Sequence, residues 1–146
     1  MKKLIYYIEK VGYMEPFYEY DANDVGADEF YARQLCTYFI MQGKQYERLS
    51  NEMEAGAEVV VLKELGSNVR GEGEQSFRGQ GIHIEFRSAH AGYPLVDRIS
   101  CATHFDVMRY LLKDIVEVPS VGQMLVTSTE IDEDRGVYVM YVTDLE

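Results

Sequence analysis

Residues 3–9 alternate, with Leu4, Tyr6 and Ile8 on one side and Ile5, Tyr7 and Glu9 on the other, the two-residue period of a strand. Gly12 turns the chain, and Tyr13 to Tyr20 reads as a second strand. Pro16 has no amide hydrogen to give to a ladder, so that strand belongs at an edge or carries a bulge. Asp21, Asn23, Asp24 and Gly26 form a turn cluster. From Asp28 to Gln42 the period becomes helical. Ala32, Leu35, Cys36 and Phe39 make an apolar stripe, Asp28 and Glu29 suit the N-terminal dipole, and Gly43 is a stop. Cys36 is thereby placed in the core.

Residues 44–65 predict a hairpin around Glu54-Ala55-Gly56, whose second arm contains Val59-Val60-Val61-Leu62. Residues 66–81 hold five of the twelve glycines and predict a long mobile loop. Strand 81–88 follows, with Ile82, Ile84 and Phe86 opposite His83, Glu85 and Arg87. Ala89 to Ala102, with Gly92 and Pro94, reads as irregular. A second helix is expected from about His104 to Ile115, capped by Thr103 with Asp106 three residues on. Met124 to Ile131 and Val137 to Thr143 predict a final hairpin around Asp132 to Gly136. Its last strand is apolar on both faces and so belongs in the middle of a sheet.

The expected order is β-β-α-β-β-β-α-β-β. Hairpins rather than βαβ alternation predict an α+β fold: a mainly antiparallel sheet of about six or seven strands with both helices on one face. The 146 residues are expected to form a single domain with its own core, and no repeat or linker is visible.

Composition adds twelve Tyr and six Phe with no Trp, rings suited to half-buried sheet faces. The apolar run after Lys2-Lys3 spans only Leu4 to Ile8, too short for a secretory signal or a membrane span, so the expected location is the cytoplasm. Cys36 and Cys101 are then expected as thiols.

The net charge is −11, and its distribution is uneven. Residues 66–115 carry six basic and six acidic side chains, against seven and twelve in residues 1–65 and one and seven in residues 116–146. The acidic whole disfavours bulk nucleic acid and anionic membranes, since phosphates are repelled. The neutral middle contains all three histidines and five of the eight arginines.

That middle supplies the candidate chemistry. His83, Glu85 and Arg87 share a strand face, where Glu85 orients His83 and Arg87 grips an anion. His104, in the first turn of the second helix, is kept neutral by the dipole and suits acid–base work. Cys101 and His104 have zinc-chelating spacing, but the remaining ligands, His83 and His90, do not form a second close pair, so no metal is expected. The loop 70–81 lacks the Gly-Lys-Ser/Thr ending of a phosphate loop and leads into a strand; it suggests a flap carrying Arg70, Phe77 and Arg78.

The leading expectation is a protein binding a small anionic, nucleotide- or phosphate-like ligand through Arg70, Arg78, Arg87, Arg98 and His90, with no cofactor. The first alternative is an enzyme using His104 or His83 with Glu85 in acid–base chemistry on an anionic substrate. The second is an acidic inhibitor or immunity-type protein docking on a basic protein partner through Asp132, Glu133, Asp134, Asp144 and Glu146.

Overall fold

The computed structural model describes residues 3–21, 25–68 and 74–145. Ten strands and two helices follow one another among these residues. The first half runs β1 (Lys3–Lys10), β2 (Tyr13–Asp21), α1 (Ala27–Gln34), β3 (Tyr38–Met41), β4 (Lys44–Glu54) and β5 (Ala57–Ser67). The second runs β6 (Ile82–Ser88), β7 (Leu95–Cys101), α2 (His104–Leu111), β8 (Ile115–Val118), β9 (Gly122–Asp132) and β10 (Val137–Thr143). The architecture is α+β, as expected, but the sheet is neither mainly antiparallel nor six- or seven-stranded. It has ten strands, ordered β2-β1-β5-β4-β3-β9-β10-β6-β7 with β8 beside β9, and three of its pairings (β1 with β5, β6 with β10, β3 with β9) are parallel.

The two halves are one ββαβββ unit used twice. β1 lies between its hairpin partner β2 and the parallel β5, as β6 lies between β7 and the parallel β10. Even the irregularities recur. A bulge in β2 falls opposite the step from Tyr6 to Tyr7, and one in β7 opposite the step from Phe86 to Arg87. A second falls between Arg48 and Ser50 in β4, where the other half has Val126 and Ser128 in β9. The chain leaving each helix is pinned alike, Arg48 N–H donating to the Thr37 carbonyl and Val126 N–H to that of Asp114, both at 2.8 Å. Bulges re-aim strands at defined residues, so two matched pairs mark a shared design.

The expected helix 28–42 is in fact α1 followed by β3, and the helix expected to reach Ile115 stops at Leu111 ahead of β8. Leu35 and Leu112 end the helices as αR C-caps. In Tyr38-Phe39-Ile40-Met41 the last three residues are buried, which gave the run a helical apolar count although aromatic and β-branched residues favour a strand. The stretch read as irregular contains β7. Asp97, Arg98 and Ser100 had masked its alternation, while Ile99 packs on the core. Thr103 caps α2 as expected, its hydroxyl accepting from Asp106 N–H at 3.4 Å.

Both helices cover one face. Phe30 and Ala32 of α1 and Val107 and Leu111 of α2 pack with Leu4, Tyr6, Ile84 and Phe86. Each large apolar side chain buried there contributes roughly 1.5–3 kcal/mol. Cys36 is buried in this core, just beyond α1, and burial pushes its thiol pKa up. Pro16 sits at the bulge of edge strand β2, and β10 is flanked by β9 and β6, both as expected. Among the described residues no helix is long and apolar enough to cross a membrane.

Candidate functional site

On the helix-free face of the second half, Glu85 and Arg87 are 0 % and 1 % exposed. Arg135, from the β9–β10 turn, donates to both Glu85 oxygens at 3.0 Å, and its Nε donates to Asp132 at 2.9 Å. Arg87 Nε donates to Glu85 Oε1 at 2.9 Å and its Nη1 to the Tyr93 carbonyl at 2.8 Å. Arg98 approaches Glu85 at 3.7 Å, and Glu74 approaches Arg135 at 3.6 Å. Burial works against charge on Glu85, but the bonds from Arg135 and Arg87 prevail and hold its carboxyl below the usual range. Phe77 closes the network, buried against Val137 and Val139, with its N–H on the Arg135 carbonyl at 2.7 Å. Residues 74–77 are thus anchored rather than a loose flap. Arg70 lies outside the described residues, as do the central glycines of the expected mobile loop.

Four of the twelve charged side chains in the middle of the chain, Glu74, Glu85, Arg87 and Arg98, therefore belong to an internal ion network centred on Arg135. The expected face of His83, Glu85 and Arg87 forms, yet Glu85 and Arg87 are sealed in. The His83 ring packs on Phe77 at 4.8 Å, and its Nε2 donates to the Gln80 carbonyl at 2.8 Å. His90 is exposed beside Ser88. Among the described residues no group of three or more His, Cys, Asp or Glu side chains is placed to hold a metal.

A cleft opens on the helix side instead, where the halves meet. Two contiguous chambers of about 430 and 480 Å³ share Arg33, Gly79, Gly81, Glu133 and Gly136. Arg33 of α1 spans the halves. Its Nε and Nη2 donate to Glu133 of the β9–β10 turn at 2.9 and 3.2 Å, its Nη1 donates to Glu29, and its guanidinium stacks on Tyr20 at 4.4 Å. Tyr6 also donates to Glu133, at 3.2 Å. The Asp134 carboxylate accepts the Gln42 and Gly43 amides at 2.8 Å each. Glu133 and Asp134 thus hold the turn in place, and Asp132 is in the network behind it. Of the acids expected to form a docking face, Asp144 is exposed and Glu146 lies outside the described residues.

Segment 77–81 rests on that turn. Gly136 has a φ of 69°, and a Cβ there would lie 3.1 Å from Arg78 Cγ and 3.3 Å from its Cα, so this approach requires glycine. It sets exposed Arg78 at the rim. Deeper in, Tyr138 is 4 % exposed and its hydroxyl has no hydrogen-bond partner among the described residues. The His104 ring meets Tyr138 edge-on at 5.8 Å, and its Nδ1 lies 3.7 Å from Glu29. Burial depresses the His104 pKa despite Glu29, leaving a neutral imidazole.

The cleft gathers Arg78, His83 and His104 of the expected residues, while Arg87 and Arg98 stay on the opposite face. Sequence reading passed over Arg33 and Tyr138, and gave Glu133 a place on an acidic docking face rather than in a cleft. The i,i+4 spacing of Glu29 and Arg33 was a usable signal, and so was Arg135, a lone cation in an acidic turn. Comparison with family models, curated proteins and solved structures returns no match.

Proposed function

We propose that the protein binds a small anionic molecule carrying a planar ring in the cleft between α1, α2 and segment 77–81. The supporting observation is which groups remain uncommitted there. Arg33, Glu29, Glu133 and Asp134 satisfy one another or the backbone, whereas among the described residues exposed Arg78 has no ion pair and the Tyr138 hydroxyl is unpartnered. A buried hydroxyl without a partner costs about 1–3 kcal/mol, which a ligand acceptor or donor recovers. Tyr18 and Tyr20 provide the ring-binding wall, and Arg78 the charge at the mouth. A second reading, acid–base catalysis, is favoured by one observation, the neutral His104 facing Tyr138 beside Glu29. Glu29 then takes the orienting role that sequence assigned to Glu85.

Thermal-shift measurement with inorganic phosphate, benzoate and adenosine monophosphate tests the reading. A ring-bearing anion should stabilise the protein more than phosphate does. Arg78→Ala should weaken that ligand about 10- to 100-fold and Tyr138→Phe about fivefold, while Arg109→Ala on the outer face of α2 changes nothing. Full ligand stabilisation in Arg78→Ala, or none in the wild type, overturns the proposal.

A further inference from the structure

A third cleft, of about 390 Å³, lies on the helix-free face, beside the ion network and away from the cleft proposed above. Tyr38 of β3, Tyr93 of the β6–β7 connection and Tyr141 of β10 line it, and Glu130 of β9 contributes its carboxyl. Tyr93 and Tyr141 meet edge to face at 5.3 Å. Tyr93 has a φ of 46°, a left-handed backbone that tyrosine rarely adopts, and Arg87 holds its carbonyl there. One wall of the cleft is thus maintained at a cost in backbone strain, by an arginine that is itself buried.

Glu130 differs from Glu85 and Asp132, the buried carboxylates of this face that arginines pair with. It is 4 % exposed, and no Lys or Arg among the described residues lies within ion-pair distance of it. Its contact is the Tyr141 hydroxyl, 3.3 Å from both oxygens. Charged groups that bear on it are Asp132 on its own strand, Arg135 in the turn and Glu74 in the crossing segment. Tyrosine faces attract cations through the ring quadrupole, and a carboxylate among them supplies the countercharge.

We propose that this cleft binds an organic ammonium group, either a free amine or the end of a lysine side chain. Tyr38, Tyr93 and Tyr141 contact the cation, and Glu130 neutralises it. Burial, reinforced by the Asp132 charge, pushes the Glu130 pKa up to about 8, so near neutrality it holds a proton. Binding the cation ionises Glu130 and releases that proton to solvent. Affinity therefore rises with pH and levels off above the Glu130 pKa. Tyr141, pushed up by burial and by Glu130, keeps its proton throughout.

Calorimetric titration of the full chain with tetramethylammonium, butylammonium, a lysine peptide and its acetyl-lysine counterpart provides the test. The preferred ammonium probe should bind about a hundredfold more tightly near pH 9 than near pH 6. Its neutral isostere, 3,3-dimethylbutanol for the quaternary probe or the acetylated peptide, should bind at least tenfold more weakly. Glu130→Gln should abolish the pH dependence. Tyr93→Ala, at a rim residue 39 % exposed, should weaken binding severalfold without unfolding the chain. Binding of the small amines identifies a free ligand, and binding of the peptide alone identifies a lysine side chain. No binding at millimolar concentration, equal binding of the neutral isostere, or a flat pH profile in the wild type overturns the proposal. Arg78→Ala should leave ammonium binding unchanged, which separates its failure from that of the anion cleft.

Discussion

Ile5 and Tyr7 in the first half occupy the sites that Glu85 and Arg87 occupy in the second: both pairs face the parallel partner strand, opposite Val59 and Val61 in one case and Val139 and Tyr141 in the other. The backbones agree down to these two bulges, yet the matched positions are apolar in one half and hold a buried ion network in the other. Topology therefore does not dictate what a sheet face carries. The surroundings do. In the second half Phe77, Gln75 and Arg135 close over the face, so Glu85 and Arg87 lose water and must satisfy each other. The network then acts across the sheet. Arg135 fixes the β9–β10 turn from behind, and Glu133 and Gly136 of that turn wall the helix-side cleft. A second asymmetry concerns strand edges. β9 receives β3 along Glu130–Asp132, whereas the matching residues of β4, Glu52–Glu54, have no strand on that edge among the described residues.

The largest effect expected from breaking this comparison is at Glu85. Glu85→Ala leaves Arg87 and Arg135 buried beside a missing carboxylate and should cost about 3–5 kcal/mol in chemical denaturation. Ile5→Ala, at the matching half-buried position, removes only packing and should cost roughly 1–2 kcal/mol. Equal costs would mean that the two faces are energetically alike and that the network is incidental.

Much of the local structure was legible in the residues: the first two strands, both long hairpins, the Thr103 cap and the burial of Cys36. The short strands β3 and β8 were not. Each continues an apolar run directly from a helix, so the runs Ala32–Phe39 and Phe105–Ile115 keep an apolar count that fits either period. The duplication was invisible because the matched positions share only apolar character, as in Leu4 with Ile84 or Tyr6 with Phe86, and diverge on the outer face. The site was half legible. His104 and Arg78 stand at the cleft, but a one-dimensional charge balance could not distinguish arginines facing a ligand from arginines facing Glu85. That distinction depends on Arg135, which is distant in sequence and arrives only through the β9–β10 turn.

A smaller effect should separate the helices. Thr103 caps α2 with its hydroxyl, whereas α1 begins at Gly26 with no side-chain cap. Thr103→Ala should cost about 1 kcal/mol by denaturation, and hydrogen exchange should increase first at the Asp106 amide. An unchanged midpoint would show that packing of Val107 and Leu111 alone holds the N-terminus of α2.

The most direct test of the buried, polarised face is a carbon-detected NMR titration of its carboxyl groups. Glu85 should titrate below the usual carboxylate range, and Glu130 near pH 8. The stability consequence has a definite sign. A folded-state pKa raised above the unfolded value makes the folded chain hold a proton that the unfolded chain has lost. Glu130 should therefore cause stability to fall as pH rises from about 4 to about 8, and Glu130→Gln should remove that slope. If Glu85 and Glu130 instead titrate together at about pH 4 to 5, the face is open to water, and neither the ion network nor the tyrosine-lined cleft exists as described.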